Sequence, residues 1–212
     1  MADLALISES LIKGDAKQVK QLTEEAIAAG VEPEIIIKDA LIAGMSVIAE
    51  RFKKNEIYVP EVLIAARAMQ AGLAILKPLV ADVERERDTV LVIGTVKGDL
   101  HDIGKNLVAM MMEGAGFEVI DLGVDVSPEQ FIEAIREHQP RLIGLSALLT
   151  TTMVAMKDTI EAIKASEFRD QVKVLIGGAP VTQNYADEIG ADGYAPDAST
   201  AVEVAKSLTG VA

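Results

Sequence analysis

The stretch Thr89-Val-Leu-Val-Ile-Gly-Thr-Val-Lys-Gly-Asp-Leu-His-Asp-Ile-Gly-Lys-Asn106 runs from a short β-branched segment, Thr89 to Ile93, through a glycine-bearing loop into a helix expected to begin near Gly104. Strand, loop and helix in that order form the unit of a parallel sheet, because the chain must cross over before a strand can pair in the same direction. The loop holds His101, one of only two histidines in the chain, with Asp99 two residues before it and Gly104 three after. An imidazole beside a carboxylate, at the carboxyl end of a strand, is a candidate metal ligand with its orienting group attached.

Downstream the same alternation repeats. Further strands are expected at Glu118 to Ile120, Leu142 to Leu145, Val172 to Ile176 and, weakly, near Gly193-Tyr194. The helices between them start near Ser127-Pro128, Thr151, Thr182 and Ser199. Alternating β and α segments imply a doubly wound α/β fold, and five strands suggest the flavodoxin-like (Rossmann-like) order 2-1-3-4-5. Three features then fall at carboxyl ends of strands: Asp99 and His101, Ser146-Ala-Leu148, and Gly177-Gly178. Their convergence on one sheet edge is more specific than any one of them.

Upstream, residues 1 to about 81 read as helix throughout. Apolar residues recur at helical spacing in Leu4, Ile7, Leu11, then Val19, Leu22, then Ile35 to Phe52, then Val62 to Leu76. Breaks fall at Gly14-Asp15, at Gly30-Val-Glu-Pro33 and between Asn55 and Pro60, which predicts a four-helix antiparallel bundle. The charged run Asp82-Val-Glu-Arg-Glu-Arg-Asp88 reads as a linker. The expected domains are therefore a helical bundle with linker over 1–87 and an α/β domain over 88–212.

Composition removes several function classes. The formal net charge is −13, which is wrong for a nucleic-acid partner. No cysteine is present, which removes thiolate metal sites and iron–sulfur clusters and fits a reducing cytoplasm. Met1-Ala-Asp-Leu-Ala-Leu-Ile-Ser-Glu9 has no basic start before an apolar run, as a signal peptide would. The longest apolar stretches read as strand-sized, so no membrane span is expected. Gly98 to Lys105 imitates a phosphate-binding loop, but its interval is one residue too long and Asn106 stands where a hydroxyl must hold magnesium. Gly144-Leu-Ser146 imitates a nucleophile elbow, but Leu148 replaces the glycine that the tight turn requires. His138 reads as a helix C-terminal residue and Met110-Met-Met112 as core filling.

The loop Gly94 to Asn106, with Asp121-Leu-Gly-Val124 after it, resembles the cobalamin-binding region of methionine synthase. It is still more similar to the small corrinoid proteins of methyltransferase systems acting on methanol, methylamines, betaines and aryl methyl ethers. The likeness extends over the bundle, where Tyr58-Val-Pro-Glu-Val-Leu63 and Ala66-Arg-Ala-Met69 match that family's cap domain.

The resemblance implies a cobalamin cofactor bound base-off and His-on, with His101 as the lower axial ligand of cobalt. The binding loop would comprise Gly98, Asp99, His101, Asp102, Ile103 and Gly104. Asp99 would hold the other imidazole nitrogen, and Thr152 would stand where the family often has a relay serine. Gly177, Gly178 and Ser146 would leave a slot for the nucleotide tail, with Ser146 and Thr150 bonding it and Leu148 packing on it. Tyr194 and Ala198 would reach the ring and tail from the last strand's loop. Phe52 and Val59 would cover the opposite face of the ring. The implied function is a methyl carrier, non-catalytic alone, that takes a methyl group from a donor-specific methyltransferase. It would pass that group to a second methyltransferase acting on tetrahydrofolate or a thiol, and a reductive activase would restore it. A cobalamin-dependent regulator and the cobalamin subunit of a mutase are the alternatives; no basic helix-turn-helix precedes the bundle, as the former would need.

Overall fold

A computed structural model describes residues 3–80 and 89–211. The chain divides into two compact units, an amino-terminal helical unit and an α/β unit. The expected linker and the boundary between residues 87 and 88 lie outside the described residues.

The helical unit comprises α1 (Leu4–Ile12), α2 (Ala16–Ala28), α3 (Pro33–Ile36), a π-helical stretch (Ile37–Ile42) leading into α4 (Ala43–Lys53), and α5 (Val59–Leu76). Aspartates cap the first two helices: the Asp3 carboxylate accepts from Ala5 N–H at 3.1 Å and Asp15 from Gln18 N–H at 2.9 Å. The breaks share one device. Gly14, Gly30 and Asn55 each take a left-handed φ just past a helix, at +74°, +81° and +57°. In each case the next residue's N–H reaches back into the last turn: Asp15 to Ser10 O, Val31 to Ala26 O and Glu56 to Arg51 O. Ile7, Leu11, Val19, Leu41, Ile48, Val62 and Leu76 are buried at the centre of this unit.

The expectation that no apolar stretch exceeds a strand does not hold for α5. Residues Val59–Leu79 are long and apolar enough to cross a membrane by length and composition. The cause is the alanines and Gly72, which spread apolar character around the whole helix instead of along one stripe. Val62, Ala65, Ala66, Ala68, Met69, Leu73 and Leu76 are buried within the helical unit, which is how a core helix behaves.

The α/β unit comprises β1 (Val90–Thr95), α6 (Ile103–Gly114), β2 (Glu118–Asp121), α7 (Pro128–His138), β3 (Leu142–Ser146), α8 (Met153–Ala165), β4 (Lys173–Gly177), α9 (Gln183–Ile189), β5 (Gly193–Ala195) and α10 (Ala198–Thr209). The five strands are all parallel in the order β2-β1-β3-β4-β5, as the alternation predicts. β1 is buried over its full length, as a strand covered on both faces must be. At the carboxyl edge the register sets Thr95 beside Ser146, Ser146 beside Gly177 and Gly177 beside Ala195. Four small residues thus share one row of one face.

At the opposite, amino edge, Asp192 ties the strands together. Its carboxylate accepts from both Arg169 guanidinium nitrogens at 3.1 and 3.2 Å, from Val174 N–H at 2.8 Å and from Lys173 Nζ at 3.4 Å. Burial pushes this carboxyl up, but the Arg169, Val174 and Lys173 contacts outweigh it and hold it below the ordinary carboxylate range.

Candidate functional site

The loop between β1 and α6 turns at Gly98, whose φ is +83° and whose N–H donates to Asp125 Oδ1 at 2.7 Å. Asp125, itself at φ +56°, donates its N–H to Asp99 O at 3.0 Å. Thr95 Oγ1 donates to His101 O at 2.9 Å, so the far end of the loop is pinned to the last residue of β1. Two neighbouring elements therefore fix the backbone on which Asp99 and His101 sit.

Asp99 is fully buried and is the hub of the site. Its Oδ1 accepts from His101 Nδ1 at 2.7 Å and from His101 N–H at 3.0 Å. Its Oδ2 accepts from Thr152 Oγ1 at 2.6 Å, from Leu148 N–H at 2.8 Å and from Leu149 N–H at 3.4 Å. Burial pushes the carboxyl up, but the bonds from Thr152, Leu148 and His101 together hold it far below the usual range. An ionised carboxylate only accepts, so the Nδ1 atom of a neutral His101 carries the proton and Nε2 presents a lone pair. The His101 side chain is 50% exposed, and Nε2 lies across the ring from the nitrogen bonded to Asp99.

Behind the loop, Lys105 is buried and its ammonium pairs with Asp121 and with Asn106 Oδ1, the latter at 2.7 Å. This ion pair ties the first turn of α6 to the end of β2. Exposed apolar side chains flank His101 in its own loop and occur in the segment after β3. Leu100 is 70% and Ile103 84% exposed, and Leu148, Leu149 and Val154 are exposed as well.

The structure brings Asp99, His101 and Thr152 into one hydrogen-bonded chain, with Ser146 and Gly177 at the same sheet edge. Asp102 and Gly104 are exposed beside His101, and Thr150 is exposed in the loop after β3. Leu148 contributes its backbone N–H to Asp99 in addition to an exposed side chain. Ala198 is buried as the first residue of α10, behind the Asp197 cap. Tyr194 is the exception among these positions. It lies one residue before the small-residue row, so its side chain takes the opposite face, where it packs against the core that includes Val174 and Ile176. In the helical unit, Phe52 is half-buried and Val59 exposed, and neither belongs to the buried core.

Gly178 has a different physical reason from the expected one. At φ +141°, a Cβ there would stand 1.8 Å from the carbonyl oxygen of Ala147. The missing side chain lets two backbones meet rather than leaving open space. The Leu148 and Leu149 contributions escape sequence reading, since backbone donors leave no residue signature, and Asp125 escapes it because its partners Gly98 and Asp99 lie far from it in the chain.

Chemically, one imidazole nitrogen is too little to hold a bare ion. Among the described residues no three His, Cys, Asp or Glu side chains gather to bind one. A single oriented nitrogen does suit a metal that arrives with its in-plane positions already filled, and exposed apolar side chains suit the flat face of such a macrocycle. The donor set and its surroundings fit a metal macrocycle ligated from below.

Comparison with known proteins agrees with that chemistry. Residues 89–203 match a B12 binding domain family, and residues 4–77 match a second family of the same description. A corrinoid protein of Desulfitobacterium hafniense is 42% identical over 99% of both chains. The dimethylamine corrinoid protein of Methanosarcina barkeri is 44% identical over 95% of both. Among solved structures, the methanol:cobalamin methyltransferase complex of Methanosarcina barkeri contains a chain similar with a TM-score of 0.87 and 28% identity, covering 99% of this chain and 80% of that one.

Proposed function

The chain belongs to the B12-binding corrinoid proteins of methyltransferase systems, and from that premise we propose that it is a methyl carrier, a subunit that holds a corrinoid and presents it to partner enzymes. Bound cobalt supplies the methyl-accepting and methyl-donating centre; the protein supplies ligation, orientation and shielding. The single observation that carries the reading is the Asp99–His101 pair, with Nδ1 held at 2.7 Å on a half-exposed imidazole between the exposed Leu100 and Ile103 in the chain.

Each of the chain's own residues then has a task. His101 would hold the metal through Nε2, as in a base-off, His-on corrinoid. Asp99 fixes the tautomer and raises the basicity of that nitrogen, and Thr152 holds the carboxylate from behind. The row Thr95, Ser146, Gly177 and Ala195 would leave room for the nucleotide tail beside the strands. Phe52 and Val59, outside the core of the helical unit, cover the ring's other face and keep water and oxidants away. The helical unit over 1–87 is thus a cap, and 88–212 the cobalamin-binding domain.

The partners in this reading are a donor-specific methyltransferase, an acceptor methyltransferase working on tetrahydrofolate or a thiol, and a reductive activase, all in the cytoplasm. Relatives named for methylamine and methanol systems support the carrier over a regulator or a mutase subunit. The test is spectroscopic. The protein loaded with cobalamin should show a nitrogen-ligated spectrum, and His101→Ala should shift it to the water-ligated form. A spectrum unchanged by the substitution would remove His101 from the metal.

A further inference from the structure

The peptide unit between Ala147 and Leu148 is held at both ends. Its N–H donates to Asp99 Oδ2 at 2.8 Å. Its carbonyl faces Gly178, where a Cβ would stand 1.8 Å from the oxygen and 2.9 Å from the carbon. A trans peptide is planar, so its carbonyl and N–H point in opposite directions and turn only together. Whatever moves the carbonyl also moves the N–H.

We propose that Gly178 is a positioning residue for His101. Through its bare Cα it sets the tilt of the Ala147–Leu148 peptide, which aims an N–H at Asp99 and so holds the carboxylate that orients the imidazole.

The surroundings leave tilt as the available relief. Ala147 is fully buried, and its own N–H donates back to Gly177 O at 3.3 Å, so this part of the loop cannot slide outward. On the other side, Val181 N–H donates to Gly178 O at 3.0 Å, which keeps Gly178 in place. A methyl group at 178 therefore meets a carbonyl that can only swing. Swinging it takes the Leu148 N–H off a fully buried carboxylate. The chain of contacts runs from the β4–α9 loop through the β3–α8 loop to the β1–α6 loop, so three loops at one sheet edge share one geometry. The consequence for a metal ligand rests on the carrier reading above, whereas the backbone lever does not.

The lever is tested on the cofactor-free protein by amide NMR. In Gly178→Ala the Leu148 amide proton should lose the downfield shift of a charged acceptor and exchange faster with solvent. The Thr200 amide, bonded to Asp197 Oδ1 at 2.8 Å, should stay put as the fold reference. A folded variant with an unmoved Leu148 amide overturns the proposal. Should Gly178→Ala not fold, the lever is read from its other end: Asp99→Asn should speed exchange of the Val181 amide, and unchanged Val181 exchange overturns the proposal. In the corrinoid-loaded Gly178→Ala protein, imidazole ligation should weaken by about 10–100-fold, as losses behind a metal ligand typically do. A moved Leu148 amide beside an unaltered corrinoid spectrum, in a protein whose spectrum His101→Ala does shift, would overturn the positioning of His101 by Gly178.

Discussion

At the residue scale, the site turns on a division between what side chains declare and what backbones do. The spacing of Asp99 and His101 is visible in the sequence because both residue types are chemically specific, and the structure places their side chains 2.7 Å apart. The small residues at the sheet edge are visible too, but their purposes differ. Gly178 serves a backbone contact, so a bulky residue there would distort the loop before it filled a ligand slot. Gly177 is also tight, with a Cβ lying 3.0 Å from Ala195 O. Ser146 is the cleaner probe of the proposed tail slot: it is half-buried, pairs in register with both Thr95 and Gly177, and has no strained φ. Ser146→Val adds branched bulk and removes a hydroxyl while suiting a strand. Its affinity for complete cobalamin should fall by about tenfold or more, at ~1.4 kcal/mol per decade, with cobinamide, which lacks the nucleotide arm, much less affected. Equal losses for both corrinoids, measured by equilibrium binding, would take the tail out of that row.

At the element scale, strands and helices were legible wherever their ends are marked by side chains, as at Asp15, Ser127 and Thr182, each of which caps the helix after it. The π-helical stretch Ile37–Ile42 is not, because Leu41 within it and Ile36 just before it, both buried, are five apart and periodicity counts tolerate one extra residue. Two elements carry predictions of their own. In α2, Thr23 is fully buried and its hydroxyl has no partner among the described residues. Thr23→Val keeps the branched shape and removes an unmet polar group, so it should stabilise the protein by about 1 kcal/mol in urea unfolding. A destabilised variant would mean the hydroxyl is satisfied in solution. At the amino edge of the sheet, Asp192 has its carboxyl lowered in the folded state, so its contribution is complete above the ordinary carboxylate pKa of about 3.9. That contribution is lost as pH falls from there through the lower folded value. Asp192→Asn should therefore cost about 1–3 kcal/mol near neutral pH, and the gap to wild type should narrow at about pH 3. Parallel stability curves across that range would show that charge is not what Asp192 contributes.

At the scale of the whole molecule, the two units have separate cores, and ligand linkage distinguishes whether one or both hold the proposed cofactor. A ligand that binds only the folded form stabilises what it touches by RT ln(1 + [L]/Kd), about 2.7 kcal/mol at a hundredfold excess over Kd. His101, Ser146 and Leu148 belong to the α/β unit, so buried amides such as Val92 and Ile143 should gain protection from hydrogen exchange on adding cobalamin. The helical unit has its own buried centre, with Val19 and Leu41 at 0% exposure, and nothing in that core requires a ligand. If Phe52 and Val59 cover the ring, cobalamin must also stabilise this unit, and the amides of Val19 and Leu41 should slow as well. Phe52→Ala should then reduce the gain in the helical unit while leaving that of the α/β unit nearly intact. The methylated, loaded variant should also bleach faster in light, since a less covered ring is more open to water and oxygen. Protection confined to Val92 and Ile143, with Val19 and Leu41 exchanging at their cofactor-free rates, would reduce the helices to a neighbour of the cobalamin domain with no part in shielding it.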